Sequence, residues 1–147
     1  DHVDRVMGFI ERARANGDEI GRGGKRLERG LWVEPTVIVP RSNDSEVVQH
    51  EVFGPVLTFQ VFRDEDEAVA MANSTRYGLS AIVYTGSAER AERVGRTVRA
   101  GVVWVNTFLV RDLTAPFGGI GISGGNYQQD QDACVEALTK IGFELPA

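Results

Sequence analysis

The sequence predicts an α/β fold, a partial doubly wound parallel sheet with flanking helices. Strand-like and helix-like segments alternate from Val56 to Val105, the rhythm of crossover-linked parallel strands. Apolar residues recur at helical spacing over Val3–Ala15. With 147 residues, 42% of them hydrophobic and 25% charged, the chain is of single-domain size and ordinary globular composition.

Val3, Val6, Met7, Ile10 and Ala13 form one stripe, with Asp4, Arg5, Glu11, Arg12 and Arg14 on other faces, and Asn16-Gly17 supplies the stop. The glycine-rich segment from Asp18 to Gly30 reads as a short strand and then a mobile loop. Leu31–Val39 contains Pro35, which cannot donate to a ladder, so it is expected to be an edge or hairpin strand. After the polar turn Arg41–Ser45, Val56–Phe62 is the next strand candidate. Asp64 is the expected N-cap of a helix carrying Ala68, Val69 and Ala72, with Glu67 completing a capping box. Leu79–Thr85 is β-rich. Ser87 then caps a helix with Ala88, Ala91, Val94 and Val98 along one stripe, and Val102–Val105 is a short buried strand.

A net charge of −5 with scattered basic residues argues against a nucleic-acid partner. Arg22, Lys25, Arg26 and Arg29 cluster, but Glu19 and Glu28 break up their field, so a solvated loop is expected. No apolar run approaches the ~20 residues of a membrane span, so no membrane partner is expected. The single cysteine, Cys134, excludes an internal disulfide and fits a reducing, cytoplasmic setting. Two distant histidines, His2 and His50, do not make a metal site by themselves. Because the sequence opens on Asp1 rather than Met, it is expected to begin at a cut, a processed end or an artificial boundary.

Gly119-Ile120-Gly121-Ile122-Ser123-Gly124 matches the glycine pattern of dinucleotide-binding folds. It lacks the required strand directly before and helix directly after, and reads instead as a tightly turning loop. Parallel sheets place ligands at strand carboxyl ends, which here include the loop after Val105. Glu51 stands beside Phe53-Gly54-Pro55, a carboxylate next to an aromatic plate, a flexible joint and a fixed turn. A carboxylate can accept hydrogen bonds from two vicinal hydroxyls, so the segment could hold a nucleoside sugar. From the residues alone, a solvated or capping glutamate is the more ordinary reading.

Glu51-Val52-Phe53-Gly54-Pro55 resembles the glutamate-x-phenylalanine-glycine-proline motif of NAD(P)-dependent aldehyde dehydrogenases. Trp104-Val105-Asn106 and Pro116-Phe117-Gly118-Gly119 are similar to that family's C-terminal signature. Val3-Asp4-Arg5-Val6, Glu34-Pro35-Thr36-Val37 and Tyr77-Gly78-Leu79-Ser80-Ala81 fall in the family's order, so the likeness is nearly continuous from His2 to Gly124. It implies that residues 1–127 are the C-terminal part of a catalytic domain whose cofactor domain is absent from this chain. Residues 128–147 form a divergent tail where the family has an oligomerisation strand.

The resemblance further implies NAD or NADP as cofactor, with Glu51 on the nicotinamide ribose and Phe53 beside the nicotinamide. His2 and Arg5 take positions where the family often has glutamine and lysine near the same ribose. Asn106, Phe108, Arg111 and Phe117 are expected along the tunnel for a small-molecule aldehyde. Arg111-Asp112-Leu113 resembles members acting on muconic-type semialdehydes, and Arg111 could grip a substrate carboxylate by two prongs or simply pair with Asp112. The nucleophilic cysteine, the oxyanion asparagine and the general base are expected before His2. Cys134 is not that nucleophile: it follows the Pro-Phe-Gly-Gly loop, and Asp132 and Glu136 beside it oppose thiolate formation. The implied partner is the missing N-terminal part, with self-association expected where removed strands bare a sheet edge. Gly121 stands in place of a common lysine, and about four residues are missing after Ser123-Gly124; this deletion and the divergent tail motivate the alternative of a truncated, non-catalytic binding or assembly protein. A third reading is different chemistry at Cys134, His50 or Asp112.

Overall fold

The computed structural model describes residues 1–110. The chain divides into two compact units, Asp1–Arg76 and Tyr77 onward. Its mixed α/β architecture, with helices and small parallel sheets, is the expected class.

In the first unit, α1 (His2–Ala15) starts where Asp1 caps Asp4, and it stops at Asn16, whose N–H bonds back to Arg12 and Arg14. Gly17 follows at φ 88°, a left-handed turn that suits glycine. The inward stripe of α1 is Val3, Val6, Phe9, Ile10 and Ala13. Val6, Phe9, Ile10 and Ala13 pack with Ile38, Val47 and Val52 into one core cluster. Phe9 is gripped from outside by two guanidinium groups, Arg5 at 5.3 Å and Arg12 at 4.8 Å from its ring centroid.

β1 (Glu19–Arg22), β2 (Thr36–Val39) and β3 (Val56–Thr58) form a sheet in that order, β1 antiparallel to β2 and β2 parallel to β3. Of the expected edge or hairpin strand over Leu31–Val39, the hairpin forms, since β2 runs antiparallel to β1, but the edge position is corrected: β2 is central. Proline is the reason, because the strand starts one residue beyond Pro35 and every ladder position is left with a donor. A Cβ on Gly23 would strike the Pro35 carbonyl oxygen, so that close approach requires glycine at φ 72°. Between β2 and β3 runs a four-residue helix, α2 (Glu46–Gln49), which the sequence pattern did not reveal.

Arg12 holds α2 to α1 by a two-pronged pair, Nε to Glu46 Oε2 at 2.8 Å and Nη2 to Glu46 Oε1 at 3.0 Å. The hydrogen bond from Arg12, then its charge and that of His50, hold the Glu46 carboxyl below its ordinary value of 4.5 against an opposing desolvation. A lowered folded value means this stabilisation is present above about pH 4.5 and is lost as pH falls through the folded value. Melting curves should accordingly show a small deficit for Glu46→Gln at neutral pH that closes on acidification and shrinks in salt. A deficit that persists at low pH would contradict this assignment.

α3 (Glu65–Ala72) is capped by Asp64, whose Oδ1 accepts from Glu67 N–H at 2.9 Å. Only half of the expected box forms there. The Glu67 carboxylate turns to Arg63, accepting its main-chain N–H at 2.6 Å and its guanidinium at 3.1 Å. In the second unit, β4 (Ala81–Val83) and β5 (Val103–Val105) pair in parallel, joined by α4 (Ala88–Thr97) with Ser87 as cap. Strand–helix–strand is thus realised here as a parallel pair. β3 belongs to the other sheet, so the run expected from Val56 to Val105 is divided between two sheets. Among the described residues no helix is long and apolar enough to cross a membrane, and no group of three or more His, Cys, Asp or Glu residues could hold a metal ion.

Candidate functional site

Four of the residues expected at a cofactor, His2, Arg5, Glu51 and Phe53, come together in the first unit. They meet just before β3, at its amino end. Val52 is buried in the core while Glu51 and Phe53 on either side of it face outward, Phe53 being 70% exposed. Phe53 takes φ 60°, a left-handed conformation rarely adopted by a bulky residue, which turns the chain sharply into Gly54-Pro55. Thr36 N–H then bonds to Pro55 carbonyl at 2.8 Å, tying the end of the turn to β2.

α1 holds this turn through the main chain. Arg5 donates from Nη1 to the Val52 carbonyl and from Nη2 to the Glu51 carbonyl, both at 2.9 Å. His2 Nε2 lies 2.7 Å from the Phe53 carbonyl, a bond that requires the proton on that nitrogen. Gly54 closes the set: a Cβ there would lie 2.7 and 2.8 Å from the Val6 methyls. Sequence reasoning missed this role for Val6, although a glycine next to a proline-fixed turn is a cue to close approach.

Of the residues expected at the aldehyde, Asn106 and Phe108 are described and lie in the second unit; Arg111 and Phe117 lie outside the described residues. Also outside them are Cys134, the Gly119–Gly124 loop, the deletion after Gly124 and the boundary at residue 127. Asn106, at φ 52°, uses both ends of its amide on Thr85: Oδ1 accepts from Thr85 N–H and Nδ2 donates to its carbonyl, each at 2.8 Å. Its side chain thereby joins the carboxyl ends of β4 and β5. Phe108 is 55% exposed and meets Trp104 edge to face, ring centroids 5.4 Å apart, while Trp104 Nε1 donates to the Val110 carbonyl at 2.8 Å. An open polar depression of about 470 Å³ near Asn16, Arg41, Glu46 and Gln49 does not include Glu51 or Phe53. Its rim carries charges of both signs, and the residues that line it are all polar or charged.

An α/β chain that presents a carboxylate and an aromatic ring on a strained, helix-held turn matches known proteins over nearly its whole length. The aldehyde dehydrogenase family model matches residues 1–142, and the chain belongs to this family. It is 44% identical over 129 residues to a 2-aminomuconic 6-semialdehyde dehydrogenase of a Pseudomonas species, covering 84% of this chain and 26% of the relative. It is 39% identical over 136 residues to a betaine aldehyde dehydrogenase of Vibrio vulnificus, covering 89% and 28%. Among solved structures, HpcC from Thermus thermophilus superposes with a TM-score of 0.76 at 41% identity over 84% of this chain and 26% of its own. Betaine aldehyde dehydrogenase from Staphylococcus aureus in complex with NAD+ gives 0.73 at 38% identity over 80% and 24%. The chain thus spans about a quarter of the length of these relatives.

Proposed function

We propose that this chain is the C-terminal part of the catalytic domain of an NAD(P)-dependent aldehyde dehydrogenase, contributing a ribose clamp and part of the substrate wall. The observation that carries this reading is the exposed pair Glu51 and Phe53 on a turn held from α1. Glu51 would accept from the two vicinal hydroxyls of the nicotinamide ribose, and Phe53 would lie beside the nicotinamide. When bound, NAD or NADP supplies the hydride acceptor.

Asn106, Phe108, Arg111 and Phe117 would line the aldehyde's approach, and a carboxylate on a semialdehyde substrate would suit Arg111. In this reading the cysteine that forms a thiohemiacetal, the oxyanion donors and the general base reside on a partner segment N-terminal to this chain, within a cytoplasmic, self-associating protein. The departures after Gly124 and the drifted tail are the motive for a second reading, a non-catalytic binding or assembly protein.

Titration of NAD+ and NADP+ into the chain, with parallel assays of aldehyde oxidation by the absorbance of reduced nicotinamide, tests this. Binding should weaken about tenfold or more in Glu51→Ala, and the chain alone should turn over no aldehyde. Unchanged affinity in Glu51→Ala would sink the ribose clamp, and turnover by the isolated chain would sink the placement of the nucleophile elsewhere.

A further inference from the structure

His2, Arg5, Val6 and Phe9 stand at i, i+3, i+4 and i+7 of α1, one continuous helix face. That face contacts the turn at Glu51, Val52, Phe53 and Gly54. Arg5 reaches the first two carbonyls, His2 the third, and the Val6 methyls abut the Gly54 position. Three consecutive carbonyls therefore accept from two side chains of one helix. The Arg5 guanidinium also lies over the Phe9 ring at 5.3 Å, so it is fixed by ring contact as well as by hydrogen bonds. Arg5 was expected to touch a ribose, yet both of its terminal nitrogens donate to main-chain oxygens.

We propose that Arg5 is a positioning residue, assisted by His2: it holds Phe53 left-handed and so aims the Glu51 carboxylate and the Phe53 ring, without itself contacting the cofactor. A left-handed φ is disfavoured for phenylalanine against extended or helical backbone, so the turn needs such a restraint to persist. A planar fork that reaches two adjacent carbonyls at matched distances suits this task, and a single ammonium cannot reproduce it. The inference rests on the reading that Glu51 and Phe53 meet the nucleotide.

The test uses the 147-residue chain as wild type, Arg5→Ala, Arg5→Lys, His2→Ala and Glu51→Gln, with folding checked by circular dichroism. One arm measures chymotryptic cleavage between Phe53 and Gly54 without nucleotide, identified by fragment mass; the other titrates NAD+. Losing two charge-assisted bonds should speed that cleavage about tenfold in Arg5→Ala and weaken NAD+ binding to a similar degree. Arg5→Lys should recover only part of both effects, and His2→Ala, which removes a single terminal-turn bond, should show a smaller change of the same kind. Glu51→Gln should weaken NAD+ with cleavage unchanged.

Weakened NAD+ binding in Arg5→Ala with wild-type cleavage would overturn the proposal in favour of direct contact. Full rescue by Arg5→Lys, or wild-type cleavage in both Arg5→Ala and His2→Ala, would also overturn it. If Arg5→Ala does not fold, His2→Ala and Arg5→Lys decide by the same cleavage criterion. If the wild type binds no NAD+ while cleavage rises in the Arg5 and His2 variants, the restraint stands and nucleotide contact by this chain on its own falls.

Discussion

Ile38→Ala should destabilise the Asp1–Arg76 unit by about 2–5 kcal/mol, lowering its urea midpoint by roughly 1 M or more. Ile38 is fully buried at the centre of β2, opposite Ile20 on β1 and Thr58 on β3, and its carbonyl accepts from Phe59. Its side chain packs in the cluster with Val6, Ile10 and Val52. A cavity there cannot be filled by one neighbour sliding over, because sheet and helix both border it. Leu57→Ala is the control: Leu57 is 62% exposed on β3, and its loss should register within about 0.5 kcal/mol. Similar midpoints for the two variants in urea unfolding would contradict the placement of the core.

Gly54→Ala is expected to cost about 1–3 kcal/mol by overpacking and to weaken NAD+ binding as well. Backbone strain is not the cause, since Gly54 does not take a left-handed φ. The cause is space, because the new methyl would lie 2.7 and 2.8 Å from the Val6 methyls and Val6 is only 2% exposed. With Val6 walled in by the core, relief must come from moving the turn away from α1, which lengthens the bonds to His2 and Arg5. Val6→Ala should restore the room. Chemical denaturation of a double-mutant cycle should then show the pair to be less destabilised than the sum of the single changes. Simple additivity would mean that Gly54 and Val6 do not meet.

Local signals in the sequence were readable where a side chain bonds within its own turn or a stripe repeats. Asp64 and Ser87 cap as expected, and Val6, Ile10 and Ala13 face inward. α2 was hidden because four residues are about one turn, too short for a period to show. The central place of β2 was hidden because Pro35 falls one residue outside the strand, a margin that composition does not resolve. At the site, the motif itself pointed to Glu51 and Phe53. What Arg5 and His2 do was not legible, since their acceptors are main-chain oxygens 46 to 51 residues away and carry no side-chain identity. Asn106 is a similar case, paired with the backbone of Thr85 across the sheet.

The first turn of α1 also sets how the turn at Phe53 comes apart. Helix ends ordinarily fray at little free-energy cost, far below that of global unfolding. Here the fraying end is itself the restraint on residues 51–54, so the two open together as one small cooperative unit. Warming would therefore disorganise the presentation of Glu51 and Phe53 while Ile10 and Ile38 are still packed, and loss of the site would precede loss of the fold.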